Sequence, residues 1–164
     1  MTNKAYLLIG GNEGERADEL ARACRNIISY CGPLVLHSSL YETAAWGKTD
    51  QPAFLNQALL LETALPAPAL METLLGIEEM MGRKRLEKYG PRIIDIDMIF
   101  FNRDSIRLPG LIIPHPEMQN RRFVLEPMNE IASSYVHPIL QKTIAELLLE
   151  CTDRLDVKKI PSII

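Results

Sequence analysis

No long apolar run occurs in this sequence. Stretches such as Ala58–Leu61 and Leu147–Leu149 fall far short of the roughly 20 apolar residues that a membrane-spanning helix needs. The opening MTNKAYLLIGGN carries one lysine and a short apolar run, less than a secretory signal requires. Cysteine is scarce, with Cys24, Cys31 and Cys151. Cys24 and Cys31 are expected on one helix, about 10 Å apart, too far for a disulfide. An odd cysteine count without metal-like spacing points to reduced thiols and a cytoplasmic protein. His37, His115 and His137 lack zinc-ligand spacing. No P-loop signature occurs, and no nucleophile–base pattern that would suggest acyl or covalent chemistry. Repeats, low-complexity tracts and a domain linker are also missing.

What remains is an ordinary globular chain. Apolar residues make up 47% and charged residues 24% of 164 positions, which excludes a disordered protein and fits one domain spanning residues 1–164. The net charge of −3 argues against general nucleic-acid binding. That charge is unevenly spread. Arg83, Lys84, Arg85, Lys88 and Arg92 face a single acid, Glu87, between Gly82 and Arg92, a local +4 that leaves −7 elsewhere. A basic segment in an acidic chain suggests a specific anion site.

Hydrophobic periodicity predicts the elements. Ala5–Ile9 reads as a buried strand, ended by a turn at Gly10-Gly11-Asn12. Ala17–Tyr30 reads as a helix with Leu20, Cys24, Ile27 and Ile28 on one side. Leu34–Thr43 and Phe54–Thr63 alternate as strands. Pro66 and Pro68 open a helix that carries Leu70, Leu74, Ile77 and Met81 on one face. Ile93–Phe101 is a further strand, Leu111–Ile113 is a candidate fifth, and Arg122–Ile131 and Thr143–Leu149 read as helices. The expected class is α+β. The expected order is β-α-β-β-α-β, the ferredoxin-like arrangement, with an antiparallel sheet, helices on one face and an α-helical C-terminal extension.

Within this frame Asp95 and Asp97 carry the strongest chemical signal. Aspartate is depleted in strands, and residues two apart share a face. Both carboxylates therefore point one way, with Ile94, Ile96, Met98 and Phe100 on the other face and Ile99 and Phe101 continuing theirs. Paired, partly buried carboxylates cost several kcal/mol per ion unless compensated. Magnesium compensates them, since it takes one or two carboxylates plus substrate phosphates. An aspartate pair by itself also describes a plain strand end, and a basic loop by itself is commonly just solvated. Side by side, they favour a metal–phosphate site. Gly10-Gly11-Asn12 fits either a close backbone approach to a ligand or a simple turn. Asn56 and Phe54 share a strand face, which suits a flat heteroaromatic ligand, although the residues alone favour a strand-edge amide beside a core ring. His37 and His137 read as structural, and His115 sits in a rigid Pro-His-Pro.

With these residues in view the sequence resembles the 6-hydroxymethyl-7,8-dihydropterin pyrophosphokinases of folate biosynthesis, from Ala5 to about Ile131. The matching segments are Ile9–Asn12, Leu40–Gly47, Asp50–Thr63, Gly82–Phe101 and Pro114–Pro127. The resemblance implies transfer of pyrophosphate from ATP to the pterin's hydroxymethyl oxygen, releasing AMP, with two magnesium ions on Asp95 and Asp97. It implies that Asn56 reads the pterin, that Thr43, Ala44 and Trp46 supply backbone contacts, and that Phe54 and Phe123 sandwich the ring. Arg83, Arg85 and Arg92 then stabilise phosphate charge, and Glu78, Lys88, Arg92, His115 and Arg121 occupy nucleotide positions. A monomer that binds these two substrates, without nucleic acid or membrane, is expected. The chain departs from the family at Leu75, Lys88, Tyr89, Gly110 and Ile112, most of them on the nucleotide side, and its basic loop is one residue shorter than in the better-known bacterial members.

Two rivals are weaker. An RNA-binding module of this topology needs stacking aromatics on its central strands, where Ile93–Phe101 offers acids. A ligand sensor has little use for a costly carboxylate pair beside an arginine loop.

Overall fold

The first strand is longer than its apolar run. β1 covers Asn3–Gly11, so Gly10 and Gly11 continue the strand instead of forming a turn. Pairing explains this: Gly10 stands opposite Asn56 on one side and opposite Asp95 on the other. The computed structural model describes residues 2–44, 51–82 and 93–161.

α1 spans Arg16–Tyr30 and buries Leu20, Ala23 and Ile27. Ile28, predicted for the same face, is half exposed, because it lies about 100° round the helix from Ile27. The predicted strand Leu34–Thr43 divides into β2, Leu34–His37, and β3, Tyr41–Thr43. At the break the Ser38 hydroxyl accepts the Ala58 N–H at 2.9 Å, while the Ser38 N–H donates to the Ala58 carbonyl at 2.8 Å. A side-chain oxygen thus stands in for a backbone partner, and the chain leaves the strand without orphaning Ala58. β4, Phe54–Thr63, pairs with β1, β2 and β3. α2 spans Ala67–Met80, with Pro66 at its N-cap and Leu70, Leu74 and Ile77 buried.

β5, Asp95–Phe101, starts two residues later than expected. Leu111–Ile113 is a strand, β7, but it pairs with Ile106–Leu108, β6, in a separate two-stranded sheet. α3, Arg122–Ala132, and α4, Ile144–Glu150, follow the predicted helices. Thr143 and Glu146 form a reciprocal capping box at α4, which satisfies two end donors. The sequence pattern gave no sign of β8, Val157–Lys159, a segment too short to show alternation. It pairs with β3 at the sheet edge.

The result is an α+β fold with a main sheet in the order β5-β1-β4-β3-β8, antiparallel throughout, β2 also lying on β4. Strand alternation splits its side chains into two cores. Ala5, Leu7, Ile9, Leu55, Leu59, Ile96 and Met98 pack with Leu20, Ile27, Leu70, Leu74 and Ile77 of α1 and α2. Leu8, Ala58, Ile99 and Phe100 pack with Val124, Leu125, Met128, Ile144 and Leu147 of α3 and α4. Helices therefore cover both faces, not one as expected, because α3 carries its own apolar stripe. Each fully buried Leu or Ile contributes roughly 1.5–3 kcal/mol.

A bulge in the β1–β5 pairing also corrects the predicted alternation. Tyr6 stands opposite Phe100, yet Leu7 stands opposite Met98. The extra residue turns both Ile99 and Phe100 toward α3, and Phe101 returns to the α1–α2 side. The aspartate face thus becomes apolar one strand position on, where α3 covers it. Toward Asp95 it opens into a cleft.

Candidate active site

Four strands and one helix converge on this cleft. It occupies ≈ 810 Å³, open mouth included, and is lined by Leu8, Gly10, Thr43, Ala44, Phe54, Asn56, Asp95, Asp97, Arg121 and Phe123. β5 presents Asp95 and Asp97, β4 presents Phe54 and Asn56, and β3 presents Thr43 opposite Phe54 in the ladder. Phe123 comes from the first turn of α3, and Arg121 from the residue before the helix.

The polar groups sit in apolar walls. Asn56 is 5% exposed and Thr43 3%. Among the described residues the buried Thr43 hydroxyl oxygen has no hydrogen-bond partner, so a ligand polar atom there would relieve a desolvation cost of roughly 1–3 kcal/mol. The guanidinium of Arg121 lies 5.9 Å from the Phe123 ring centroid, within cation–π range. The cleft therefore combines stacking surface, two buried polar groups and a carboxylate pair.

Other predicted positions surround it. Glu78 is 3% exposed, and its carboxylate accepts the Ile96 N–H at 2.7 Å. Its visible role is to hold the strand between the two aspartates, and it does not line the cleft. His115 follows the cis Ile113–Pro114 bond, and its N–H donates to the Ile99 carbonyl at 3.0 Å. Burial, then the Arg121 charge, depresses its pKa, while Asp95 and Glu117 oppose that shift. His115 lines a second hollow with Arg107, Ile112 and Pro116. Trp46, Arg83, Arg85, Lys88 and Arg92 lie outside the described residues.

Sequence reasoning missed Leu8 as a cleft residue, since it looks like any core leucine. Gly10 fits either a close approach to a ligand or a turn by sequence, and its register with Asn56 places it in the cleft wall. Arg16 was also missed. Its guanidinium donates to the Ala53 carbonyl at 2.8 Å and pairs with Glu42 at 2.8 Å, bridging the segments that lead to Thr43 and Phe54.

This arrangement has close relatives. The family model described as 7,8-dihydro-6-hydroxymethylpterin-pyrophosphokinase matches residues 6–133. The 2-amino-4-hydroxy-6-hydroxymethyldihydropteridine pyrophosphokinase of Synechocystis is 42% identical over 151 residues, covering 90% of this chain and 77% of that protein. The protein of the same name from Bacillus subtilis is 41% identical over 132 residues, covering 80% and 79%. Among solved structures, wild-type Plasmodium falciparum HPPK-DHPS matches with a TM-score of 0.72 at 20% identity, over 92% of this chain and 41% of that one. That likeness concerns the fold, and this chain spans under half of that larger protein. The chain belongs to the 7,8-dihydro-6-hydroxymethylpterin-pyrophosphokinase family.

Proposed function

We propose that the cleft holds 6-hydroxymethyl-7,8-dihydropterin between Phe54 and Phe123, and that the chain transfers the terminal pyrophosphate of ATP to its hydroxymethyl oxygen, releasing AMP. The observation that carries this reading is the meeting of Asp95 and Asp97 with Asn56, Thr43, Phe54 and Phe123 in one cleft. One end suits a phosphate–metal cluster and the other a flat, hydrogen-bonding heteroaromatic. Asn56 offers an amide to the ring edge, with Thr43 and Ala44 on the same cleft, and the family resemblance adds Trp46 as a further backbone contact.

Asp95 and Asp97 fit magnesium by donor chemistry. They are hard oxygen donors, and among the described residues no cluster of three or more His, Cys, Asp or Glu forms a closed metal cage. Magnesium is bound this way, by one or two carboxylates completed by phosphates. When bound, as two ions in this reading, it neutralises phosphate charge and makes the hydroxyl easier to deprotonate.

In the reaction the hydroxymethyl oxygen attacks the β-phosphorus in line. Its new O–P bond replaces the bond to the α–β bridging oxygen, which leaves with AMP, and the hydroxyl proton passes to solvent. The chain's own work is positioning and charge stabilisation. Asn56 and the two rings aim the hydroxymethyl group. Arg83, Arg85 and Arg92 balance the charge on the phosphates, and Lys88, His115 and Arg121 hold the nucleotide. Glu78 acts from behind, through the Ile96 N–H.

The finer fold reading is the ferredoxin-like arrangement extended by the C-terminal helices. It is supported by the strand order β5-β1-β4-β3 with α1 and α2 as its crossovers. A single domain over 1–164 is supported by two cores that share the same strands. A monomer in the cytoplasm completes the proposal, and Cys24, Cys31 and Cys151, all free, support the location. Mixing the protein with Mg-ATP and hydroxymethyldihydropterin tests the central reading. AMP is expected only when the pterin is present, and AMP formed equally without it would overturn the assignment.

A further inference from the structure

The cleft has two walls that belong to different parts of the fold. Thr43 ends β3 and Ala44 follows it, beside Phe54 and Asn56 of β4, whereas Phe123 rides on α3. A ring held between Phe54 and Phe123 requires both surfaces at contact distance, roughly 3.5–4.0 Å from it. Something must set the separation of α3 from β3.

Glu130 does this. It lies two helical turns after Phe123 on α3. Its carboxylate accepts the Tyr41 hydroxyl at 2.6 Å, the Ser39 N–H at 2.9 Å and the Ser39 hydroxyl at 3.3 Å. Lys159 of β8 lies 3.6 Å away. One carboxylate thus gathers donors from the segment before β3, from β3 itself and from the edge strand. Burial pushes the Glu130 carboxyl up, but the donors from Tyr41 and Ser39 and the Lys159 charge outweigh it and hold the pKa below the ordinary glutamate value. The group is ionised in the working range, and charged hydrogen bonds of this kind are the stronger and more directional ones.

The contact leads straight to the cleft. Tyr41, 6% exposed, stands opposite Asn56 in the ladder, and Thr43 stands opposite Phe54. Displacing Tyr41 from α3 therefore moves Asn56 and Thr43 relative to Phe123. We infer that Glu130 is a positioning residue for the pterin, clasping Tyr41 and Ser39 so that the β3–β4 wall and the α3 wall of the cleft stay in register. This rests on the pterin reading of the cleft.

The test is substrate-resolved kinetics on Glu130→Ala, Glu130→Gln and Tyr41→Phe, each checked for folding by circular dichroism. Glu130→Ala is expected to raise the pterin KM about 10-fold while leaving the Mg-ATP KM within about twofold, since misplacement of a substrate-bearing wall can cost up to about 10²-fold. Glu130→Gln retains an acceptor and size, so a smaller rise is expected. If Glu130→Ala does not fold, this variant carries the test. Tyr41→Phe should move the pterin KM the same way and add little on top of Glu130→Ala, as partners in one contact do. A pterin KM unchanged despite lower melting temperature makes Glu130 a stability clasp and overturns the inference. So does an equal rise for both substrates. Wild-type protein that gives no pterin-dependent AMP removes the underlying reading and this inference with it, a result distinct from active wild type with indifferent variants.

Discussion

Gly10 and Asn56 occupy the space of one side chain between them. A Cβ placed on Gly10 would stand 2.1 Å from Asn56 Oδ1 and 3.2 Å from the Leu55 carbonyl oxygen. The bare glycine lets the Asn56 amide lie flat against β1, where it lines the cleft. Gly10→Ala must push that amide outward or bend the strand. The expected outcome is a pterin KM raised about 10-fold or more with the Mg-ATP KM little changed, and a stability loss of roughly 1–3 kcal/mol from overpacking. Steady-state kinetics with each substrate varied separately reads the first part, and urea unfolding reads the second. A normal pterin KM would show that Asn56 is not the pterin-reading group.

Asp97 stands opposite Leu8 in the β1–β5 pairing, and Asp95 opposite Gly10, so both carboxylates are carried on β5, the strand at the edge of the main sheet that β1 holds in register. Asp97→Ala removes the proposed metal donor without opening the core, since Asp97 is half-buried and Met98 and Ile96 keep their packing. Turnover should fall by about 10²-fold or more, in the range seen when a main electrostatic contributor is lost, while the melting temperature stays close to wild type. Higher magnesium should recover part of the rate. Near-normal AMP release by this variant would remove Asp97 from the metal site.

Much of this could be read from the sequence, and the failures have physical causes. Asp95 and Asp97 were legible because acids interrupt an apolar strand, and Phe54 with Asn56 because alternation puts them on one face. Phe123 and Arg121 came from the family likeness, as no local pattern marks a helix start as a cleft wall. The bulge at Ile99 was invisible, since one extra residue changes the facing of Phe100 and Phe101 without changing composition. Ser38 hid the division of β2 from β3, because its hydroxyl satisfies the ladder at the break. Glu130 read as an ordinary helix acid. Its partners Ser39 and Tyr41 are distant in sequence, and the three meet through tertiary packing.

Arg16 and Asn12 hold the chain on either side of the segment that carries Trp46. Arg16 joins Glu42 to the Ala53 carbonyl. The Asn12 amide, 1% exposed, donates to the Pro52 carbonyl at 3.1 Å and to Gln51 at 2.9 Å. Both act on backbone that leads directly into Thr43 or Phe54. Arg16→Ala should weaken pterin binding several-fold, roughly 1 kcal/mol as expected for one lost charge-assisted contact of moderate exposure. Arg16→Lys should restore little, because the two contacts use two separate nitrogens of the planar guanidinium, a spacing that one compact ammonium does not reproduce. Fluorescence titration with the pterin decides this, and equal affinities for wild type and Arg16→Ala would limit Arg16 to a surface ion pair.

His137 supplies a pH prediction for stability, separate from the cleft. It is 4% exposed, with its ring edge-on to Phe100 at 5.7 Å between centroids. Its Nδ1 accepts the N–H of Ile139 at 3.1 Å and of Leu140 at 3.0 Å, so the neutral ring carries its proton on Nε2. Burial lowers its pKa. Protonating Nδ1 would break two hydrogen bonds and bury a charge. An imidazole whose folded pKa lies below its unfolded value binds its proton less tightly when folded. Its contribution is therefore complete above the ordinary histidine value near 6.5, and it is lost as pH falls below that value, until the folded form also protonates. The slope from this group is at most about 1.4 kcal/mol per pH unit. Urea midpoints measured from pH 8 to pH 5 should fall for wild type. His137→Asn, which keeps an acceptor near the Ile139 and Leu140 N–H groups but cannot titrate, should fall less across the same window. Subtracting the two curves cancels the carboxylates and His115, leaving the His137 contribution. Parallel curves would mean that His137 titrates alike in the folded and unfolded chains.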